Sequence, residues 1–134
     1  MRTIIVDTDV VSFIFKRDTR GDLYASHLDA SLGLISFMTI AELDLWAVSR
    51  NWGVKRKAEL TDFLQRFAVI ESSRQLCQAW ADVCYQVRQS GRKIQTADAW
   101  IAATALLYDV PLVTHNADDF AGVPALIIIS ERDQ

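Results

Sequence analysis

Four acidic residues stand where solubility does not explain a carboxylate. Asp7 follows directly on the apolar run Ile4-Ile5-Val6. Glu42 lies three residues after Thr39, and Asp98 two residues after Thr96. Asp119 closely follows Leu112-Val113-Thr114. On a helix, steps of 3, 4, 7 and 8 from Asp98 reach Ile101, Ala102, Ala105 and Leu106. All four are apolar, so Asp98 extends a core-facing stripe. An inward carboxylate is costly unless paired, hydrogen-bonded or bound to a metal. Glu42 shares a helical face with Leu45 and Trp46, and also with Ser49. Carboxylates gathered at one place repel unless a cation sits among them. A donor set without His or Cys suits hard cations, Mg²⁺ or Mn²⁺. That chemistry fits phosphodiester hydrolysis, with a cation lowering the pKa of the attacking water and neutralising the scissile phosphate. A second cation could stabilise the leaving oxygen, and no protein nucleophile is needed.

Each acid also has a plainer reading. Acids in a first helical turn complement the helix dipole, worth ~0.3–1 kcal/mol each. Thr39-Ile40-Ala41-Glu42 has capping-box spacing, and Asp7 could cap the helix after its strand.

The elements decide between these readings. Short β-branched or apolar runs predict strands over 3–6, 33–37, 68–71, 112–114 and 126–129. Helices are predicted over 10–15, 20–30, 39–52, 55–67, 73–89 and 96–108, with one turn at 118–121. Gly53 and Gly91 are the expected stops of the third and fifth of these helices. Alternating strands and helices indicate an α/β fold with a parallel sheet covered on both faces. Ligands of such sheets bind beyond the carboxyl ends of the strands. Asp7, Glu42 and Asp119 converge there on coarse topology. Asp98 joins them only if its helix starts at the same edge, which spacing alone does not decide.

The 134 residues suit one domain, 1–134. Hydrophobic residues make up 51% and charged residues 23%, a core-forming composition unlike a disordered chain. The net charge of −3 argues against a generally basic nucleic-acid binder. Basic residues nonetheless cluster: Lys16, Arg17 and Arg20; Arg50, Lys55, Arg56 and Lys57; Arg88, Arg92 and Lys93. Lys16, Arg17 and Arg20 are the preferred phosphate contacts, because they follow the helix leaving Asp7. No signal-peptide pattern opens the chain and no apolar run reaches ~20 residues, so a cytoplasmic location and no membrane partner are expected. Cys77 and Cys84 would lie ~10 Å apart on a helix, too far for a disulfide. They share a stripe with Trp80, Ala81 and Val87, which predicts buried, reduced thiols. Trp46, Trp52 and Trp100 are expected in the core or at a partner surface rather than under RNA bases. His115 neighbours the acidic edge and is read as isolated.

At this point the chain resembles the PIN-domain family, in particular its VapC-type toxin ribonucleases. Residues 4–11, Ile-Ile-Val-Asp-Thr-Asp-Val-Val, resemble the family's opening strand and Asp-Thr-Asn/Asp motif. Ile40-Ala41-Glu42-Leu43 resembles the second motif. Residues 98–105 resemble the third, and 112–120 the fourth. The order and spacing agree over nearly the whole chain. The resemblance implies a three-layer α/β/α fold with a central parallel sheet of four to five strands. It also implies an Mg²⁺-dependent endoribonuclease, with Mn²⁺ able to substitute. Asp7, Glu42 and Asp98 would hold the metal. The fourth position falls to Asn116 or Asp119, with Asp119 preferred. Asp9 would be a positioning group and Thr114 would hydrogen-bond near the metal. Implied partners are an RNA substrate, a VapB-like antitoxin and a second copy in a homodimer.

Two other readings are open. Asp7-Thr8-Asp9 after an apolar strand also resembles the opening of haloacid-dehalogenase phosphatases, with Asp7 as nucleophile and Asp9 as general acid. That reading lacks the later lysine and leaves Glu42 and Asp98 unexplained. A non-catalytic PIN-like interaction module would suit the negative charge, but a degraded site should have lost at least one acid.

Overall fold

The computed structural model describes residues 1–132. The chain runs β1 (Arg2–Val6), α1 (Thr8–Phe15), α2 (Thr19–Asp22), α3 (Ala25–Asp29), β2 (Ser31–Ser36), α4 (Phe37–Ser49), α5 (Val54–Leu64), β3 (Ala68–Ile70), α6 (Arg74–Gln89), α7 (Thr96–Tyr108), β4 (Leu112–Val113), a 3₁₀ turn (Ala117–Phe120) and β5 (Ile128–Ile129). The five strands form one sheet in the order β3-β2-β1-β4-β5, with every pairing parallel.

Two apolar clusters flank the sheet. Ile4, Val6, Ile35 and Val113 pack with Val10, Val11, Leu43 and Leu60 from α1, α4 and α5. Ile5, Leu34 and Leu112 pack with Leu76, Val83 and Val87 of α6 and the Ala-rich face of α7. Alternate residues of β1 thus serve opposite cores, which is why the strand reads as a continuous apolar run. The outcome is the expected three-layer α/β/α sandwich.

Chain order steps from β1 to β2 and β3 on one side, then returns to β4 and β5 on the other. The β1/β4 junction is therefore the switch point of the sheet, where a crevice opens at the carboxyl ends. Asp7 leaves β1 and Thr114 leaves β4 at this junction, tied by the Asp7 N–H donating to the Val113 carbonyl at 2.8 Å.

Several local expectations need correction. The helix expected over 20–30 is two short ones, because Tyr24 turns fully inward between them. The helix expected to start at Thr39 starts at Phe37. Its cap is Ser36, whose hydroxyl accepts from the Met38 N–H at 3.0 Å. Thr39 is buried inside α4 and Glu42 lies beyond its first turn, so no capping box forms. That helix ends at Ser49, and Asn51 takes a left-handed φ of 54°. Gly53 begins α5 rather than ending α4. Leu45 is 65% exposed, so the face it shares with Glu42 is not a core face. On α6 the buried line is Leu76, Val83 and Val87. Cys77, one position round from Leu76, is exposed and Cys84 is half-buried; both are free thiols.

Candidate active site

Asp7 is the N-cap of α1 and only 6% exposed. Both its oxygens are used: Oδ1 accepts from the Thr8 N–H at 2.8 Å, and Oδ2 from the Thr114 hydroxyl at 2.7 Å. Burial pushes its pKa well above the usual carboxylate range. Asp9 and Asp98 add repulsion, while the Thr114 and Thr8 hydrogen bonds oppose it. Asp9, in the first turn of α1, is also raised, first by burial. It is held by the N–H groups of Val10 (2.7 Å) and His115 (3.1 Å) and by the Asn116 amide (2.9 Å).

Glu42 reaches the same region from α4. The Thr8 hydroxyl donates to its Oε1 at 2.7 Å and lies 2.9 Å from the hydroxyl of buried Thr39. Asp98 sits in the first turn of α7, half-buried, with its pKa pushed up to about 6. The causes are burial, then the charges of Asp119, Glu42 and Asp9. These mutual fields place Asp98 among the other acids. The open condition on Asp98 is thus met: α7 starts at the carboxyl edge because it runs back to feed β4 through the turn at Asp109. Asp119 is exposed on the 3₁₀ turn. Asn116 also borders the cluster: its amide nitrogen donates to Asp9, and its Oδ1 accepts from the Arg132 guanidinium at 3.1 Å.

The site thus gathers Asp7, Asp9, Glu42, Asp98 and Asp119 in one electrostatic cluster. Among the described residues, no three acids, histidines or cysteines stand together closely enough, as the side chains lie, to hold a metal ion. A small hollow of about 320 Å³ adjoins the cluster, lined by Thr8, Ser12, Lys16, Glu42, Leu43 and Trp46. A larger hollow, about 750 Å³, touches none of these five acids. It opens beside Gly21, Ser31, Gly33 and Phe67, towards the amino end of β2. Chemistry rather than volume marks the site.

Within the preferred basic trio, Lys16 and Arg17 line one hollow together with Arg56 and Arg66. Lys16 lines the small hollow beside Glu42. Arg20 is committed to Asp18 at 2.7 Å and lies over the Phe13 ring at 3.9 Å. Arg17 lines the large hollow away from the acids.

Sequence reasoning missed four supporting groups. Thr8 and Thr39 carried a signal, since both fall in the quoted motifs. Tyr24 carried none. Its hydroxyl lies 2.6 Å from His115 Nδ1 and accepts from the Glu131 N–H at 3.1 Å. The same hydroxyl also reaches the Thr114 carbonyl at 3.5 Å. Arg132, which caps Asn116, was the fourth. Tyr24→Phe should lower stability by about 1–2 kcal/mol in urea unfolding, because it strands the Glu131 N–H and His115 Nδ1. A loss within error would mean that this bridge carries no weight.

Comparison with known proteins shows the family. The PIN domain family model matches residues 4–126, and the chain belongs to that family. Among curated relatives, Ribonuclease VapC2 of Haemophilus influenzae is 26% identical over 126 residues, covering 94% of this chain and 96% of that protein. Ribonuclease VapC4 of Mycobacterium tuberculosis is 26% identical over 98 residues, covering 72% and 75%. Among solved structures, VapBC2 from Rickettsia felis bound to a promoter DNA fragment superposes with a TM-score of 0.83 at 22% identity, covering 96% of this chain and 98% of that one. VapBC-1 from nontypeable Haemophilus influenzae gives 0.82 at 22% identity, covering 96% and 97%.

Proposed function

We propose that this chain is an Mg²⁺-dependent endoribonuclease and the toxin component of a VapBC-like pair. The observation that carries the reading is the cluster of Asp7, Glu42, Asp98 and Asp119 at the switch point, with Asp98 raised to about 6 by burial and its neighbours' charges. Relatives named Ribonuclease VapC, and structural neighbours that are VapBC complexes, support it.

The donor set fits the metal. It is all oxygen, and every influence on Asp98 raises its pKa, a deficit of positive charge that a divalent cation would cancel. Mg²⁺ takes only one or two carboxylates and keeps several waters, so a closed protein shell is not required. One or two of Asp7, Glu42, Asp98 and Asp119 would ligate it directly, and the others would hold its waters. When bound, it supplies Lewis acidity to the scissile phosphate and a lowered pKa to the attacking water.

The chain's own residues do the positioning. Thr114 and the Thr8 N–H lock both oxygens of Asp7, and the Thr8 hydroxyl aims Glu42. Asn116 and the His115 N–H hold Asp9 beside them as a positioning group. Thr114 links the two halves: its hydroxyl donates to Asp7 and accepts from the Asn116 N–H at 3.1 Å. Lys16 offers a cation at the rim of the adjoining hollow. Arg20, paired with Asp18, and Arg17 are secondary phosphate contacts. A cytoplasmic location, a VapB-like antitoxin and a homodimer complete the reading. No helix among the described residues is long and apolar enough to cross a membrane.

The test is cleavage of total RNA with Mg²⁺, with Mn²⁺ and with EDTA. Discrete cuts that EDTA abolishes and either metal restores are expected. Wild-type protein that cuts under no metal condition would instead favour the interaction module.

A further inference from the structure

A second hollow, of about 720 Å³, lies along the carboxyl-terminal half of α6 and the turn into α7. Trp80, Tyr85, Arg88, Arg92, Lys93 and Thr96 line it, and no acid is among its lining residues. In a chain of net charge −3, three cations without an acid make a local reversal of sign. None of the three belongs to an ion pair among the described residues, where the pairs are Arg20–Asp18, His27–Glu131 and Arg56–Glu59.

The cations are placed by backbone. Gly91 takes a left-handed φ of 78°, its N–H donates to the Arg88 carbonyl at 3.0 Å, and the Arg92 N–H donates to that of Val87 at 3.2 Å. This pair of bonds is a Schellman closure, which ends α6 and sets the direction in which Arg92 and Lys93 leave it. The Arg92 stem packs on Gly122, where an added Cβ would stand 3.1 Å from its Cδ. Gly122 follows the turn bearing Asp119. The other wall leads to the acids through Thr96, two residues before Asp98, with the Trp80 indole donating to the Thr96 carbonyl at 3.4 Å. Trp80 is stacked on Trp100, but Tyr85 is 61% exposed and offers a ring face.

We infer that this groove is a binding track for single-stranded RNA, which takes phosphates on Arg88, Arg92 and Lys93 and an unpaired base on Tyr85, and leads the strand to the acidic edge. The inference rests on the nuclease reading. Cations hold the backbone of a strand and an aromatic face holds a base, a combination that suits single strands.

The experiment is anisotropy titration of a fluorescein-labelled single-stranded RNA of mixed sequence across a KCl series, on an Asp7→Asn background that leaves the probe intact. Each phosphate contact on a single strand contributes about 0.7 to the slope of log K against log salt. The combined variant Arg88→Gln, Arg92→Gln, Lys93→Gln should reduce that slope by about 2, with melting unchanged. Tyr85→Ala should weaken binding about fivefold or more at an unchanged slope, and Tyr85→Phe should restore it. Lys55→Gln with Lys57→Gln should leave both readouts alone. If the parent binds RNA and the wild type cuts it, but the triple variant keeps the parental slope, the groove is overturned and the nuclease stands. If polyglutamate shows the triple-dependent slope and RNA does not, the groove takes acidic peptides and the inference fails. Absence of both RNA binding and cutting by the wild type would sink the nuclease reading and this track together.

Discussion

Asp7→Asn should reduce metal-dependent RNA cleavage by more than about a hundredfold, exceeding the 10–100-fold that loss of a supporting partner around a metal ligand costs. The substitution removes a charge but little volume. The remaining carbonyl oxygen can still accept from the Thr8 N–H, which caps α1. The new amide faces the Thr114 hydroxyl, which must then turn from donor to acceptor. That reversal costs up to about 1 kcal/mol as a weakened hydrogen bond. Against it, the buried charge disappears, and burial is the main cause that raises Asp7. Metal-free melting should therefore hold or rise while activity collapses. Cleavage assays on protein checked by circular dichroism would read both. Full activity in a folded variant would remove Asp7 from the site.

Asp98→Asn should separate stability from function more sharply still. The Asp98 pKa rises from 3.8 in the unfolded chain to about 6 in the fold. Below pH 3.8 the carboxyl is protonated in both states and imposes no penalty. Between about pH 4 and 6 the folded state holds the extra proton, so stability falls as pH rises. Above about pH 6 the penalty is complete. The Asn variant has no such penalty. It should melt about 3–5 °C higher than the parent at pH 7.5 without divalent cations, equivalent to about 1 kcal/mol after discounting for partial exposure. The gain should vanish towards pH 4. Cleavage with Mg²⁺ should fall by more than about a hundredfold, as for a lost ligand. Calorimetry at the two pH values in EDTA gives the first half. A large loss of stability at pH 7.5 would make Asp98 a structural cap of α7 instead.

These two residues also show where the sequence alone was sufficient. The polar interruption after Ile4-Ile5-Val6, and an acid on the Ile101, Ala102, Ala105 stripe, were visible as spacing. Both faces of β1 are covered, so the strand had to read as unbroken apolar sequence. With the strand–helix alternation, this determined the class of fold, the edge where the acids meet and the motif order of the family. The homogeneous interior of α7 likewise left no doubt about its helix.

What the sequence left open was whatever depends on contacts distant along the chain. Whether Asp98 joins Asp7 depends on the direction in which α7 crosses the sheet. The Thr39–Glu42 spacing suggested a cap, but Ser36 ends β2 one residue before α4, takes that role and turns Thr39 inward to Thr8. Tyr24 meets His115 across 91 positions, and Asp7 meets Thr114 across 107. No local periodicity encodes such pairs. The basic clusters looked alike as sequence. Arg20 pairs locally with Asp18, but only packing left Arg88, Arg92 and Lys93 lining a groove that leads to the acids. Residue type and spacing determined which chemistry the chain can hold, because periodicity governs burial within each element. The tertiary structure alone decided which of those groups come together, because hydrogen bonds and charges act across space regardless of their separation in the chain.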